Sequence, residues 1–262
     1  MAETSTTSLP YEECRGVLRV YSDGSIVRSP KPSFDVPVHD DGSVAWKDVV
    51  FDHIHQLQLR LYKPAVSKSR LPIFYYIHGG GFCIGSRAWP NCQNYCFQLA
   101  LSLQAVVVSP DYRLAPEHRL PAAIEDGFAA VKWLQAQAVS EEPDTWLTDL
   151  APVRVRGYVL LAPFFGGTIP SKSEAEGPKE AFLNWELIDR FWRLSIPVGE
   201  NTDHPTCESI RTGSKLGGTR LSMSSLRESN MASFTIDPNS KAANELMLIV
   251  KRFITENSSC DA

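Results

Sequence analysis

Period-two alternation is clearest in two stretches, Trp46-Lys-Asp-Val-Val-Phe51 and Leu57-Gln-Leu-Arg-Leu-Tyr62. The pattern predicts an antiparallel pair at a sheet edge, with one face buried. Three other runs are apolar without alternation: residues 71–77, 105–110 and 156–163. Each predicts a strand covered on both faces, and the first is read as a central strand of the sheet. Residues 91–103 have helical spacing, with Tyr95, Leu99 and Leu103 on one face. Pro121 is well placed to open a second helix, whose buried stripe is read as Ile124, Phe128, Val131 and Leu134. Strand, helix, strand, helix in this order marks a parallel α/β sheet.

The remaining segments complete the outline of one domain over residues 1–262. Residues 1–13 are polar and read as a mobile tail. Residues 17–21 read as a short strand, followed by turn chemistry in Ser22-Asp-Gly-Ser25. Arg28-Ser-Pro-Lys-Pro-Ser33 is held extended by its prolines. Residues 141–149 form an acidic loop, and 171–179 a polar, flexible one. Residues 183–194 are a helix rich in aromatic side chains (Trp185, Phe191, Trp192), suited to a cap over a pocket, and the cap insertion is placed at 164–205. Residues 206–233 are rich in Ser, Gly, Thr and Arg and hold no apolar run long enough for a strand. Residues 239–257 read as a capped amphipathic helix carrying Leu246, Ile249, Val250 and Phe253.

Composition narrows the function classes. A 262-residue chain with 43% hydrophobic and 21% charged residues fits one large α/β domain. Its net charge of −4 argues against nucleic acid or an anionic membrane as the main partner. The first ten residues lack the basic and apolar regions of a signal peptide, and no apolar run approaches the ~20 residues that span a bilayer. The expected location is therefore cytoplasmic or nuclear. The six cysteines show no metal-ligand spacing and are read as reduced thiols.

The candidate chemistry begins where residues 71–77 run into His78-Gly79-Gly80-Gly81-Phe82. A strand ending on three glycines leaves backbone N–H groups uncovered by any Cβ, so they can close on a developing negative charge. A tight turn with no chemistry is the competing reading. His78 is read as fixing the turn through its ring hydrogen bonds. His118 is read as structural or surface-exposed, and His39, His53 and His55 as solvated.

With Asp111-Tyr-Arg-Leu-Ala-Pro-Glu117 also in place, the chain resembles plant carboxylesterases of the hormone-sensitive-lipase-like group of α/β-hydrolases. Gibberellin receptors are non-enzymatic relatives of that group. The likeness covers residues 10–150, 151–205 and 234–255, including Tyr21-Ser-Asp-Gly-Ser25 and Phe234-Thr-Ile-Asp-Pro238. It implies an α/β-hydrolase fold and hydrolysis of carboxylic esters without metal or cofactor, with a small ester or hydrophobic molecule as partner. It places Gly79, Gly80 and Gly81 at an oxyanion hole and Asp111 in the loop that supports it. It also implies a Ser in a G-D-S-A-G-G elbow, an Asp, and a His in an H-G-F turn. The chain departs from the family here: it contains no Gly-x-Ser-x-Gly. The elbow would fall between Leu150 and Ala151, which are contiguous. A strand of ~5–6 residues and a helix of ~11–12 with their loops have no room there. Losing them as a block should leave the strands at 71–77 and 156–162 with unpaired edges or force them together.

Two shifted reading frames point to a cause. Residues 206–212 can be encoded so that a neighbouring frame reads Leu-Val-Asn-Pro-Phe-Gly-Pro, which the family carries after its Asp-His-Pro, here Asp203-His204-Pro205. Residues 223–232 can be encoded so that another frame reads Val-Glu-Phe-Glu-Gly-Lys-Gln-His-Gly, the family's approach to its catalytic histidine. The expectation is an incomplete α/β-hydrolase, catalytically impaired or inactive. The alternatives are a non-catalytic small-ligand-binding protein, as in the receptor relatives, and an unstable product.

Overall fold

The structure, a computed structural model, describes residues 11–67, 71–148, 155–161, 164, 166–170, 175–179, 183–205, 220–221 and 240–258. The junction at 149–154, residues 171–174 of the polar loop, and all of 206–233 except 220–221 lie outside the described residues.

A small antiparallel sheet opens the chain: β1 (Glu12–Cys14), β2 (Leu18–Val20) and β3 (Ile26–Arg28), in that order. The turn between β2 and β3 closes with the Tyr21 N–H on the Ser25 carbonyl and the Ser25 N–H on the Asp23 carboxylate. Residues 12 and 13, read from sequence as part of a mobile tail, are therefore strand. Their pairing to Val20 and Arg19 supplies the backbone partners that polarity alone did not reveal.

The main sheet contains β4 (Val44–Asp52), β5 (Leu57–Pro64), β6 (Ile73–Tyr75) and β7 (Val106–Pro110), in the order β4-β5-β7-β6. The β4–β5 hairpin is antiparallel, as its alternation predicts, and β6 lies parallel to β7. Side chains divide by parity between the two faces. Leu59, Leu61, Val106 and Val108 meet Leu134 on one side, while Tyr62 and Val107 meet Tyr95 and Leu99 on the other. Helix α1 (Pro90–Leu103) and the carboxy-terminal α4 (Lys241–Ser258) cover the second face, and α2 (Ala122–Gln137) the first. Within α4, Leu246 and Val250 are fully buried, and the Ser240 hydroxyl accepts the Ala243 N–H as a cap. No helix among the described residues is long and apolar enough to cross a membrane.

The sheet corrects three expectations. The strands buried along most of their length are β5 and β7; β6 is only partly buried and has a single partner among the described residues. Within the described part of the strand expected at 156–163, residues 156–161, the strand is β8 (Tyr158–Val159), which pairs in parallel with β9 (Arg220–Leu221). A two-residue strand thus lies inside the stretch that its composition marked as irregular. The third correction is the stripe of α2. Ala123, Asp126, Ala130 and Leu134 face inward, whereas Ile124 and Phe128 are exposed. Small alanines let the helix approach the sheet, and Asp126 is drawn in by Arg113, whose backbone N–H and guanidinium both bond to its carboxylate at 2.7–3.0 Å.

Helix α3 (Trp185–Ser195) begins at Asn184, whose side chain accepts the Leu187 N–H. Its apolar face, Leu187, Phe191 and Leu194, packs with Cys14, Leu18, Cys83 and Ala115. The amino-terminal sheet, α3 and the loop that carries the glycines are thereby one packed unit.

Candidate active site

The glycine turn continues β6. The Tyr76 N–H still pairs with the Val108 carbonyl (2.9 Å), after which the chain leaves the sheet. Gly80 and Gly81 then take φ of +129° and +56°. A Cβ on Gly80 would lie 1.9 Å from the Ile84 carbonyl oxygen, and one on Gly81 2.6 Å from the Phe191 ring. Only glycine fits at either position. A methyl group on Gly79 would meet no atom within 4 Å, so glycine is not sterically required there. The N–H groups of Cys83 and Ile84 both donate to the Gly80 carbonyl, at 3.0 and 3.1 Å, closing the turn on that oxygen. The N–H groups of Gly79, Gly80 and Gly81 donate to no acceptor among the described residues.

His78 sits behind the turn, 2% exposed. Its Nδ1 lies 2.9 Å from the Gly79 carbonyl oxygen, which can only accept, so Nδ1 carries the proton. Nε2 has no hydrogen bond and stands 3.6 Å from Asp111 Oδ1. The imidazole stacks on Tyr112 at 4.4 Å, and the Tyr112 hydroxyl donates to the His78 carbonyl. Burial pushes the His78 pKa below its ordinary value, with Asp111 opposing. Asp111 in turn accepts the Arg87 N–H at 2.7 Å and binds the Arg87 guanidinium. Arg87 reaches Asp48, which is also held by Arg60 at 2.7 and 2.9 Å. Arg28 braces the far side of the turn by donating to the carbonyls of Cys83 and Ala115, both at 2.6 Å, and to Glu117.

An attacking group is the other requirement. Cys83 is the nearest thiol in sequence, but its Sγ donates to the Phe191 carbonyl, and burial pushes its pKa far above the ordinary thiol value. His39, His53, His55 and His118 are exposed, and none bonds to a serine, threonine or cysteine side chain among the described residues.

Sequence reading missed one Asp–His pair. His55 Nδ1 lies 2.8 Å from Asp52 Oδ2, and this contact lowers the Asp52 pKa to about 2. The i, i+3 spacing on a hairpin turn was the available signal. The other ring nitrogen faces the Arg113 guanidinium at 3.3 Å and no hydroxyl, so the pair activates nothing. Asp52, His55 and Asp126 also bring possible metal-ligand atoms within 4.8 Å of one another. Arg113 already occupies Asp126 and supplies the positive charge there.

Comparison with known proteins agrees with this architecture. The model of the α/β-hydrolase fold family matches residues 74–149, which include the glycine turn and the Asp111 loop. Probable carboxylesterase 6 of Arabidopsis thaliana is 33% identical, the alignment taking in 76% of this chain and 69% of that protein. Carboxylesterase 20 of the same plant is also 33% identical, over 78% of this chain and 73% of its own. The first alignment runs over 238 positions, whereas 76% of this chain is about 199 of its 262 residues, leaving about 39 positions without a residue of this chain. Among solved structures, a hyperthermophilic esterase from the archaeon Pyrobaculum calidifontis superposes with a TM-score of 0.62 over 85% of each chain, at 22% identity, a likeness of fold. The chain therefore belongs to the plant carboxylesterase family of the α/β-hydrolase fold.

Proposed function

We propose that this chain is a carboxylesterase-type hydrolase by descent that keeps the charge-stabilising half of the site and lacks the attacking half. Gly79, Gly80 and Gly81 supply the donors for an oxyanion, with His78 and Asp111 supporting the turn. Among the described residues no Ser, Asp or His completes a triad, and on this reading esters are hydrolysed slowly or not at all. The observation that carries this reading is the pairing of unengaged N–H groups at 79–81 with a neighbouring thiol, Cys83, that is committed to the Phe191 carbonyl. The absence of any Gly-x-Ser-x-Gly and the gap of about 39 aligned positions support it. The single-partner β6 is in keeping with a lost neighbouring strand, and the two shifted frames are in keeping with a disrupted reading frame.

Without its nucleophile, an α/β-hydrolase site retains at most ~10³–10⁴-fold acceleration over water, by analogy with triad-deleted proteases. The test is hydrolysis of p-nitrophenyl acetate together with fluorophosphonate labelling. The expected result is no burst and no covalent adduct; a burst with stoichiometric labelling would overturn the proposal. Sequencing the transcript tests the frame reading, which requires codons for 206–233 that yield the family motifs out of frame.

A second reading, an unstable product, is favoured by the exposure of Ile77, Ile124 and Phe128 (54%, 46% and 59%) beside β6. A small ester or hydrophobic ligand is the partner proposed for whatever pocket persists beside Phe82, Phe164 and Trp192.

A further inference from the structure

Helix α3 presents a second face that the hydrolase reading does not use. Trp185, Asp189 and Trp192, spaced by four and three, fall on one side of the helix. They look across a cavity of about 220 Å³ toward Gly166, Gly167, Thr168 and Thr202. Trp192 stacks on Phe164 at 4.1 Å and 11°, and Phe164 meets Phe82 edge-on at 6.0 Å. Those rings stand between the cavity and the glycine turn.

The lining has a definite chemical character. Trp185 is 42% exposed and has no ring partner among the described residues, so an indole face is available. Asp189 is paired with Arg193 one helical turn on. Arg193, which also pairs with Glu12, offsets the Asp189 charge, and the Asp189 carboxylate offers hydrogen-bond acceptors at one wall. The Thr202 hydroxyl and the Trp192 indole N–H have no hydrogen-bond partner among the described residues. A Cβ on Gly166 would come within 3.0–3.2 Å of the Trp192 indole, so glycine keeps that wall open. The volume lies below the ~300–1,000 Å³ usual for drug-sized ligands, which limits the occupant to about one ring.

We propose that this cavity binds a single neutral sugar ring, either free or as the terminal unit of a glycoside. The C–H face of the ring lies on Trp185, and its hydroxyls exchange hydrogen bonds with Asp189, Thr202 and the Trp192 N–H. An aromatic platform with a few convergent polar groups orients such a ligand, because the polar groups reject an occupant that leaves them unpaired.

The test titrates the full chain with glucose, galactose and methyl β-D-glucopyranoside, and with choline and cyclohexanol as cationic and apolar controls. Tryptophan fluorescence and melting temperature are followed. The expected result is a saturable response to at least one sugar in the millimolar range, weakened about tenfold or more in Trp185→Ala and also weakened in Asp189→Ala. Both residues are partly exposed, so circular dichroism should match the parent chain. A response to the methyl glycoside stronger than to glucose identifies a glycoside end as the natural source; the reverse identifies the free sugar. No saturable response to any sugar at about 100 mM would overturn the proposal. So would an undiminished response in Trp185→Ala, or a stronger response to choline or cyclohexanol.

Discussion

Gly85 and His78 stand so close that a methyl group on Gly85 would lie 2.5 Å from the His78 Nδ1 and 2.6 Å from the Gly79 carbonyl oxygen. The glycine turn and the histidine behind it are therefore built around each other, and Gly85 also holds a φ of +115°. Gly85→Ala should cost about 2–3 kcal/mol, since the backbone conformation is unfavourable for alanine and the contact cannot relax without moving the turn. Gly79→Ala meets no atom within 4 Å and needs no positive φ, so its cost should stay within about 0.5 kcal/mol. Urea denaturation of the two variants measures the contrast; equal costs would show that the packing of the turn is not what fixes it.

The four buried thiols should be inert in the folded chain. Cys14, Cys83, Cys92 and Cys96 are buried. Burial pushes Cys14 and Cys92 up to about 12 and Cys83 and Cys96 well above their ordinary value. At pH 8 the thiolate fraction at each is negligible, and a thiolate is the form that reacts. Maleimide labelling mapped by mass spectrometry should find all four unmodified in native buffer and modified in urea. Rapid native labelling of Cys83 would revive it as a nucleophile and count against an inactive site.

The hairpin β4–β5, helix α1 and strand β7 were legible because each has one dominant period and a local reason to form it. Leu59 and Leu61 alternate with Arg60 and Tyr62, and Tyr95 and Leu99 share a helical face. The glycine turn was legible because two of its glycines are sterically compulsory. What escaped the sequence depends on neighbours distant along the chain. Arg28 braces carbonyls 55 and 87 residues away. Asp126 turns inward only because Arg113 arrives to meet it. Residues 71–77 are less central than they read for a related reason: apolar composition suits a strand covered on both sides, but says nothing about whether a second partner is there.

His78 makes stability depend on pH. Its folded-state pKa is lowered by burial, so below the ordinary histidine value near 6.5 the unfolded chain binds the proton more readily than the folded one. Stability is thus present above that pH and is lost as pH falls from about 6.5 through the lowered folded value. Asp111 and Arg87 are the charged groups facing the ring, and Asp111 opposes the shift while Arg87 reinforces it. Melting curves between pH 7.5 and pH 5 should show a decline that is shallower in His78→Asn, whose side chain does not titrate. An identical slope in the variant would assign the dependence elsewhere.

Helix α2 allows the corrected stripe to be tested directly. Leu134 is 2% exposed and packs with Leu59, Leu61, Val106 and Val108, so Leu134→Ala should cost about 2–4 kcal/mol. Phe128, the larger residue, is 59% exposed, with the Lys132 ammonium 4.8 Å from its ring centroid. Truncating it removes little buried surface and a weak exposed cation–π contact, so Phe128→Ala should cost less than about 1 kcal/mol. Because Phe128 and the neighbouring Ile124 leave apolar surface in water, Phe128→Gln should also reduce binding of a hydrophobic dye such as ANS and raise the concentration at which the protein aggregates. Light scattering and denaturation on the same samples decide the matter. If Phe128→Ala proved as costly as Leu134→Ala, something in the folded protein would have to cover this face. The case for instability beside β6 would then fail.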